Sequence, residues 1–201
     1  MDLFGLTHVA LWIVVVTQGV ILFLLLRSVG TVFLNTGEGV SRDGVSVGTR
    51  APDFTAIDAA GTNRSLRDYL GRWTVLIFAS PTCQICWRLV PKLREFRQAV
   101  RDQVEVLLLL RADHEVAAAY ETTTAGALPV LAIGTRGAAE KYKVRVSPFI
   151  HVLDPAGVVR AKGLVNTVEN VEHLLYDAGV RHKRIQAHGE EHERGHAHGD
   201  D

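Results

Sequence analysis

The stretch Phe78-Ala79-Ser80-Pro81-Thr82-Cys83-Gln84-Ile85-Cys86 holds the only two cysteines of the chain, spaced C-x-x-C. Upstream, residues 73–79 form a nearly unbroken apolar run, Trp73-Thr74-Val75-Leu76-Ile77-Phe78-Ala79. β-Branched and aromatic residues dominate it, which reads as a buried strand. Downstream, Ile85, Val90, Leu93 and Phe96 recur near helical spacing among Arg and Lys, which reads as an amphipathic helix over 83–101. Pro91 lies inside that helix and is expected to kink it. Ser80-Pro81-Thr82 forms the turn, and Thr82 is the expected N-cap. Cys83 then sits at the positive end of a helix, where unpaired N–H groups and the macrodipole favour an anion.

A thiolate is such an anion, and it is the nucleophile of disulfide exchange. A C-x-x-C pair at a helix start lowers the thiol pKa from about 8.5 to roughly 3.5–7. Cys83 is expected to be the exposed attacking sulfur. Cys86, one turn further in, is expected to be buried and to resolve the mixed disulfide. The bland alternatives are a structural disulfide and half of a zinc site. Zinc needs two more ligands at suitable spacing, and there is no second cysteine pair. A strand-turn-helix setting favours redox chemistry over both.

With 201 residues the chain has room for one domain plus appendages. Lys and Arg number 22 against 22 Asp and Glu, so no charge excess points to nucleic acid. Residues 3–26 are almost wholly apolar, with His8 and Gln18 as the strongly polar interruptions. At about 1.5 Å per residue this stretch spans a hydrocarbon core of about 30 Å. It lacks a basic leader and a small-residue cleavage site, so 1–27 reads as an uncleaved transmembrane anchor. Counting Lys and Arg alone puts the Arg27 side in the cytoplasm. The redox motif argues for the opposite side, where disulfides persist. The expected location is the cell membrane, single-pass, with the redox domain facing the periplasm.

Residues 28–47 are glycine-rich and lack periodicity, which reads as a linker. The domain is assigned to 48–180. Residues 65–71 look like a short capped helix ending at Gly71. Strands are expected at 73–79, 104–110, 128–133 and 149–153. Helices are expected at 114–122 and 137–142. Asp154-Pro155-Ala156-Gly157 makes a turn, and 158–162 pairs back as a hairpin. Asn166-Thr167 caps a last helix with Val168, Val171, Leu174 and Leu175 on its apolar stripe. Alternating strands and helices with a closing hairpin imply an α/β fold, a sheet covered on both faces. The tail 181–201 is polar and histidine-rich and is expected to be disordered. His188, His192, His196 and His198 are weak metal candidates there, against the reading of a solvated tail.

The pattern resembles the thioredoxin superfamily. Cys83-x-x-Cys86 followed by Pro91 matches its active-site helix and proline kink. Tyr142-Lys143-Val144-Arg145-Val146-Ser147-Pro148 looks like the segment leading to its cis-proline, and the hairpin at Gly157 fits. The resemblance implies a central mixed sheet flanked by helices, and catalytic roles for Cys83, Cys86 and Pro148. It also implies a cis Ser147–Pro148 bond beside the Cys83 sulfur, with substrate contacts from Ser147, Thr82 and Pro81. Gly48-x-x-Ala51-Pro52-Asp53-Phe54 resembles the membrane-anchored TlpA and redoxin branch. Ser80-Pro81-Thr82-Cys83, Val90-Pro91 and Arg160-Ala161-Lys162-Gly163-Leu164-Val165-Asn166-Thr167 look more narrowly like the MauD family. Gln84 departs from that family, which has proline between its cysteines, and the histidine-rich tail is not one of its features.

The MauD resemblance implies a thiol–disulfide oxidoreductase that helps the small subunit of methylamine dehydrogenase form its disulfides in the periplasm. The implied partners are a cysteine-containing client and a membrane or periplasmic redox partner that resets the pair. No cofactor beyond the Cys83–Cys86 couple is expected. Three alternatives stand beside it. A reductase in cytochrome c maturation, TlpA- or ResA-like, commonly carries an acid beneath the second cysteine, but Ile77 holds that strand position and Thr82 replaces the usual tryptophan. A peroxidase would have proline seven residues before its reactive cysteine, where Leu76 stands, although Ser80 fits. A copper or zinc module would use both cysteines and tail histidines, with His151 as a further candidate ligand.

Overall fold

The computed structural model describes residues 11–20, 43–135 and 137–182. The chain divides into two units, Met1–Arg42 and Asp43–Asp201. Of the first, residues 11–20 are helical. Among the described residues no helix is long and apolar enough to cross a membrane. Most of the 3–26 stretch lies outside them, as do the four candidate histidines of the tail.

The second unit is built on seven strands: β1 Thr55–Asp58, β2 Asn63–Ser65, β3 Trp73–Ala79, β4 Val104–Leu110, β5 Val130–Ala132, β6 Phe149–Leu153 and β7 Val159–Leu164. They form one sheet in the order β2-β1-β5-β4-β3-β6-β7. β3 pairs parallel with β4 from Trp73↔Val104 to Ala79↔Leu110, and antiparallel with β6 from Thr74↔Leu153 to Phe78↔Phe149. The helices are α1 Gln84–Leu89, α2 Leu93–Val100, α3 His114–Thr123, α4 Gly137–Lys141 and α5 Val168–Asp177. The sheet is mixed and the helices flank it, as expected for a thioredoxin-like domain.

Alternation along β3 divides the core between the two faces of the sheet. Val75, Ile77 and Ala79 join Cys86, Leu93 and Phe96 in one cluster, which Val171 and Leu175 of α5 complete. Leu76 and Phe78 join Phe149, Tyr142 and the N-terminal Ala51 and Phe54 in the other. The 83–101 helix is broken as foreseen. Val90–Lys92 is a 3-10 turn between α1 and α2, because Pro91 has no N–H to give and its ring crowds the preceding turn. The cap is a correction. Cys83, not Thr82, is the N-cap of α1, and its sulfur accepts the Cys86 N–H at 3.2 Å. The Thr82 hydroxyl is 2.9 Å from that of Ser80, one bonding the other. At α5 the expected cap holds: the Thr167 hydroxyl accepts from the Asn170 N–H at 3.3 Å. β5 is shorter than the 128–133 expected, since only three residues meet β4 in register.

The described part of this unit begins at Asp43, inside the stretch read as linker. Gly44 N–H donates to the Lys143 carbonyl at 3.0 Å, and Lys162 Nζ donates to the carbonyls of Asp43 and Gly44 at 2.7 and 3.1 Å. Val45 N–H donates to His151 Nε2 at 3.1 Å. Gly44 is at φ +80°, and a Cβ there would lie 2.7 Å from the Phe149 ring and 2.8 Å from His151. Glycine is therefore required by both conformation and space.

His151 is fully buried, with ring centroids of Phe78, Tyr142 and Phe149 at 5.6, 5.2 and 5.2 Å. Burial first, and then the charge of Lys162, push its pKa down to about 3. The folded state therefore holds the imidazole neutral, while the unfolded chain takes a proton near pH 6.5. The associated stability is fully present above pH 6.5 and is lost as pH falls toward 3. Wild type is expected to lose about 2 kcal/mol between pH 7 and pH 5 that the His151→Phe variant does not lose. Urea midpoints at the two pH values measure this, and equal losses in both proteins contradict it.

Candidate active site

The parallel pairing of β3 with β4 and its antiparallel pairing with β6 place two loops at one end of the sheet. β3 ends at Ala79 and leads into Ser80–Cys83, while β6 begins at Phe149, next after Pro148. Their register pairs Phe78 with Phe149, so the cysteine loop and the 145–148 segment emerge side by side. Cys83 Sγ lies 3.6 Å from the Ser147 carbonyl oxygen. The Ser147–Pro148 peptide is cis. The structure thus brings Cys83, Cys86 and the cis Ser147–Pro148 peptide together at one rim.

Cys83 and Cys86 are joined by a disulfide, with Cα atoms 5.3 Å apart. The two sulfurs sit in different environments. Cys86 is fully buried, in the same cluster as Ile77, Leu89 and Leu93. Cys83 is partly exposed. A disulfide sulfur has no proton, so its approach to the Ser147 oxygen is a contact. On reduction, the Cys86 N–H already aimed at Cys83 Sγ would favour the thiolate.

Trp87 was not singled out from sequence. Its Nε1–H donates to the Pro81 carbonyl at 2.8 Å, and its ring lies 4.1 Å from that of the buried Tyr120. The bond ties the loop before Cys83 to the helix after Cys86. No local pattern announces it, because Tyr120 comes from α3, far along the chain. Pro81 thus holds the loop through its carbonyl, and Thr82 is exposed beside Cys83.

The alternatives weighed from sequence also find places. Leu76 is buried in mid-strand, opposite Leu107 and His151, far from a turn that a proline would serve. Ile77 packs in the Cys86 cluster. The His151 ring packs against Phe78, Tyr142 and Phe149, which belong to the cluster on the other face of the sheet from Cys86. That separation argues against a shared metal site. Among the described residues no three His, Cys, Asp or Glu side chains group to hold a metal.

Comparison with known proteins agrees with this geometry. The AhpC/TSA family model matches residues 47–162. The methylamine utilization protein MauD of Methylorubrum extorquens is 31% identical over 176 residues, 84% of this chain and 83% of the relative. The chain belongs to the AhpC/TSA family, in its MauD group. The thiol-disulfide oxidoreductase ResA of Geobacillus thermodenitrificans is 36% identical over 94 residues, 46% of this chain and 53% of that protein. Among solved structures, the thioredoxin domain of a thiol-disulfide oxidoreductase from Bacteroides vulgatus superposes with a TM-score of 0.57. It is 23% identical and covers 64% of this chain and 96% of that domain. The protein is a thiol–disulfide oxidoreductase of thioredoxin fold.

Unequal burial of the two sulfurs gives a direct test. In the reduced protein at neutral pH, iodoacetamide is expected to label Cys83 at least about tenfold faster than Cys86, with a Cys83 pKa below the usual 8.5 or so. Faster labelling of Cys86 contradicts the assignment of roles.

Proposed function

We propose that this protein oxidises thiols of a client protein outside the cytoplasm, held at the membrane by residues 3–26. The observation that carries the reading is the partly exposed Cys83 sulfur beside the Ser147 carbonyl, with its partner Cys86 buried. A client chain lying extended across that carbonyl gains a backbone hydrogen bond and brings its own sulfur to Cys83.

The exchange follows from this arrangement. A client thiolate attacks Cys83 Sγ along the Cys83–Cys86 axis. A client–Cys83 disulfide forms, and Cys86 leaves as a thiolate. A second client thiolate then attacks the client sulfur of the mixed disulfide and releases the Cys83 thiolate. Two electrons pass from the client to the cysteine pair, and the two protons of the client thiols go to water or to the new thiols. A membrane or periplasmic partner returns the pair to the disulfide.

Three features support oxidation over reduction. Ile77 offers no acid to deprotonate Cys86 from the strand beneath it. Thr82 stands where many reductases carry tryptophan. Kinship with MauD proteins runs over most of the chain, whereas kinship with ResA covers under half of it. By that kinship the client class is a disulfide-rich subunit such as the small subunit of methylamine dehydrogenase. The apolar length of 3–26 and the persistence of disulfides outside the cytoplasm support the location.

The test uses the full chain in detergent. Oxidised wild type is expected to introduce disulfides into a reduced, unfolded protein at least about a hundredfold faster than Cys83→Ser, which has no disulfide to transfer. Cys86→Ser, with Cys83 first activated as a mixed disulfide with 2-nitro-5-thiobenzoate, is expected to capture the same reduced substrate as a client–Cys83 disulfide, releasing the aromatic thiolate. A protein that reduces insulin disulfides but never oxidises the unfolded substrate contradicts the proposed direction.

A further inference from the structure

Beside the Ser147 edge lies a hollow of about 460 Å³, lined by Arg111, Ala139, Glu140, Lys143, Val144 and Arg145. Its charge is lopsided, with three cations to one carboxylate. Arg111 and Lys143 have no carboxylate in salt-bridge reach among the described residues. Arg145 is 3.6 Å from Asp43, but its side chain is 83% exposed and keeps most of its guanidinium in water. The chain as a whole is neutral, so this is a local asymmetry and not a generally basic surface.

The fold sets this hollow at the cysteine end of the sheet. Arg111 is the first residue past β4, and its N–H donates to the carbonyl of Ala79, the last residue of β3, at 3.0 Å. Arg145 precedes Ser147 by two residues, so about 7 Å of chain at most separates their Cα atoms. Any polypeptide laid along Ser147 therefore passes close to Arg145.

We propose that this hollow recognises acidic residues flanking the target cysteine of the client. The inference rests on the reading that an extended client segment docks at Ser147. A client strand rises about 3.3 Å per residue, so a carboxylate two to four residues from the cysteine lies about 7–13 Å away from it along the strand. At physiological salt the Debye length is about 8 Å, so charges farther along the client are screened. A concave surface lined by one sign of charge focuses the field and raises the encounter rate of the opposite sign.

Reduced peptides test this with the oxidised full chain. Each carries the same cysteine pair, and they differ only in flanking Asp and Glu, Asn and Gln, or Lys residues. Stopped-flow kinetics follow peptide disulfide formation. At low ionic strength the acidic peptide is expected to react about tenfold faster than the neutral one, and the lysine peptide slower, with the difference largely gone near 0.5 M salt. Flanking charge also alters the peptide thiols, so the decisive quantity is the acidic-to-neutral ratio in wild type against the same ratio in Arg111→Gln/Lys143→Gln. That ratio is expected to fall at least about fivefold in the double variant. An unchanged ratio, or a wild-type preference for the lysine peptide, overturns the recognition site and leaves the exchange reaction standing. Failure to oxidise any peptide overturns the proposed oxidation of clients, and the recognition site with it.

Discussion

The structure depends on the two-sided pairing of β3. Its seven residues are matched to β4 on one side, and five of them to β6 on the other, so it sits inside the sheet with nearly every side chain buried. Because β6 runs antiparallel, the end of β3 and the start of β6 fall at the same rim. That single register puts Cys83, five residues past Phe78, next to Ser147, two residues before Phe149. A one-residue slip would exchange the faces of β3 and separate the Ile77 cluster from the helix that seats Cys86. The chemistry of the site is thus set by strand pairing before any side chain of the loop is considered.

From that frame the asymmetry of the two sulfurs follows. The helix after the motif packs Leu89, Leu93 and Phe96 onto one face of the sheet and draws Cys86 down with them. Cys83, at the cap, stays at the rim. Trp87 fixes the loop by holding the Pro81 carbonyl, so the attacking sulfur keeps its place relative to Ser147. On the other face, the Asp43–Val45 segment is bound to Lys143, His151 and Lys162. Lys143 and Arg145 therefore sit on a stretch braced from behind, and the positive hollow has a defined shape.

Much of this was legible in the sequence. The strands at 73–79, 104–110 and 149–153 are continuous apolar runs and fall where expected, since burial on both faces leaves no alternation to confuse. Pro91 announced its own break in the helix. The cysteine spacing and the Ser147–Pro148 segment pointed to the two loops that the structure sets side by side. What escaped was one local choice of cap and the long-range contacts. Thr82 is a good cap by type, yet Cys83 takes the cap because its sulfur meets the Cys86 N–H while Thr82 pairs with Ser80. The docking of Asp43–Val45 spans more than a hundred residues to His151, and a glycine-rich segment gives no sign of it. The gathering of Arg111 with Lys143 and Arg145 needs the sheet order, which no local pattern supplies.

The central claim is that an extended client chain pairs with Ser147 while its sulfur is bonded to Cys83. The most direct measurement is a crystal structure of the Cys86→Ser variant trapped in a mixed disulfide with a cysteine peptide. The account predicts a Cys83–peptide disulfide, with a peptide N–H donating to the Ser147 carbonyl within about 3.2 Å. A peptide attached at Cys83 whose backbone turns away from Ser147, leaving that carbonyl to water, contradicts it.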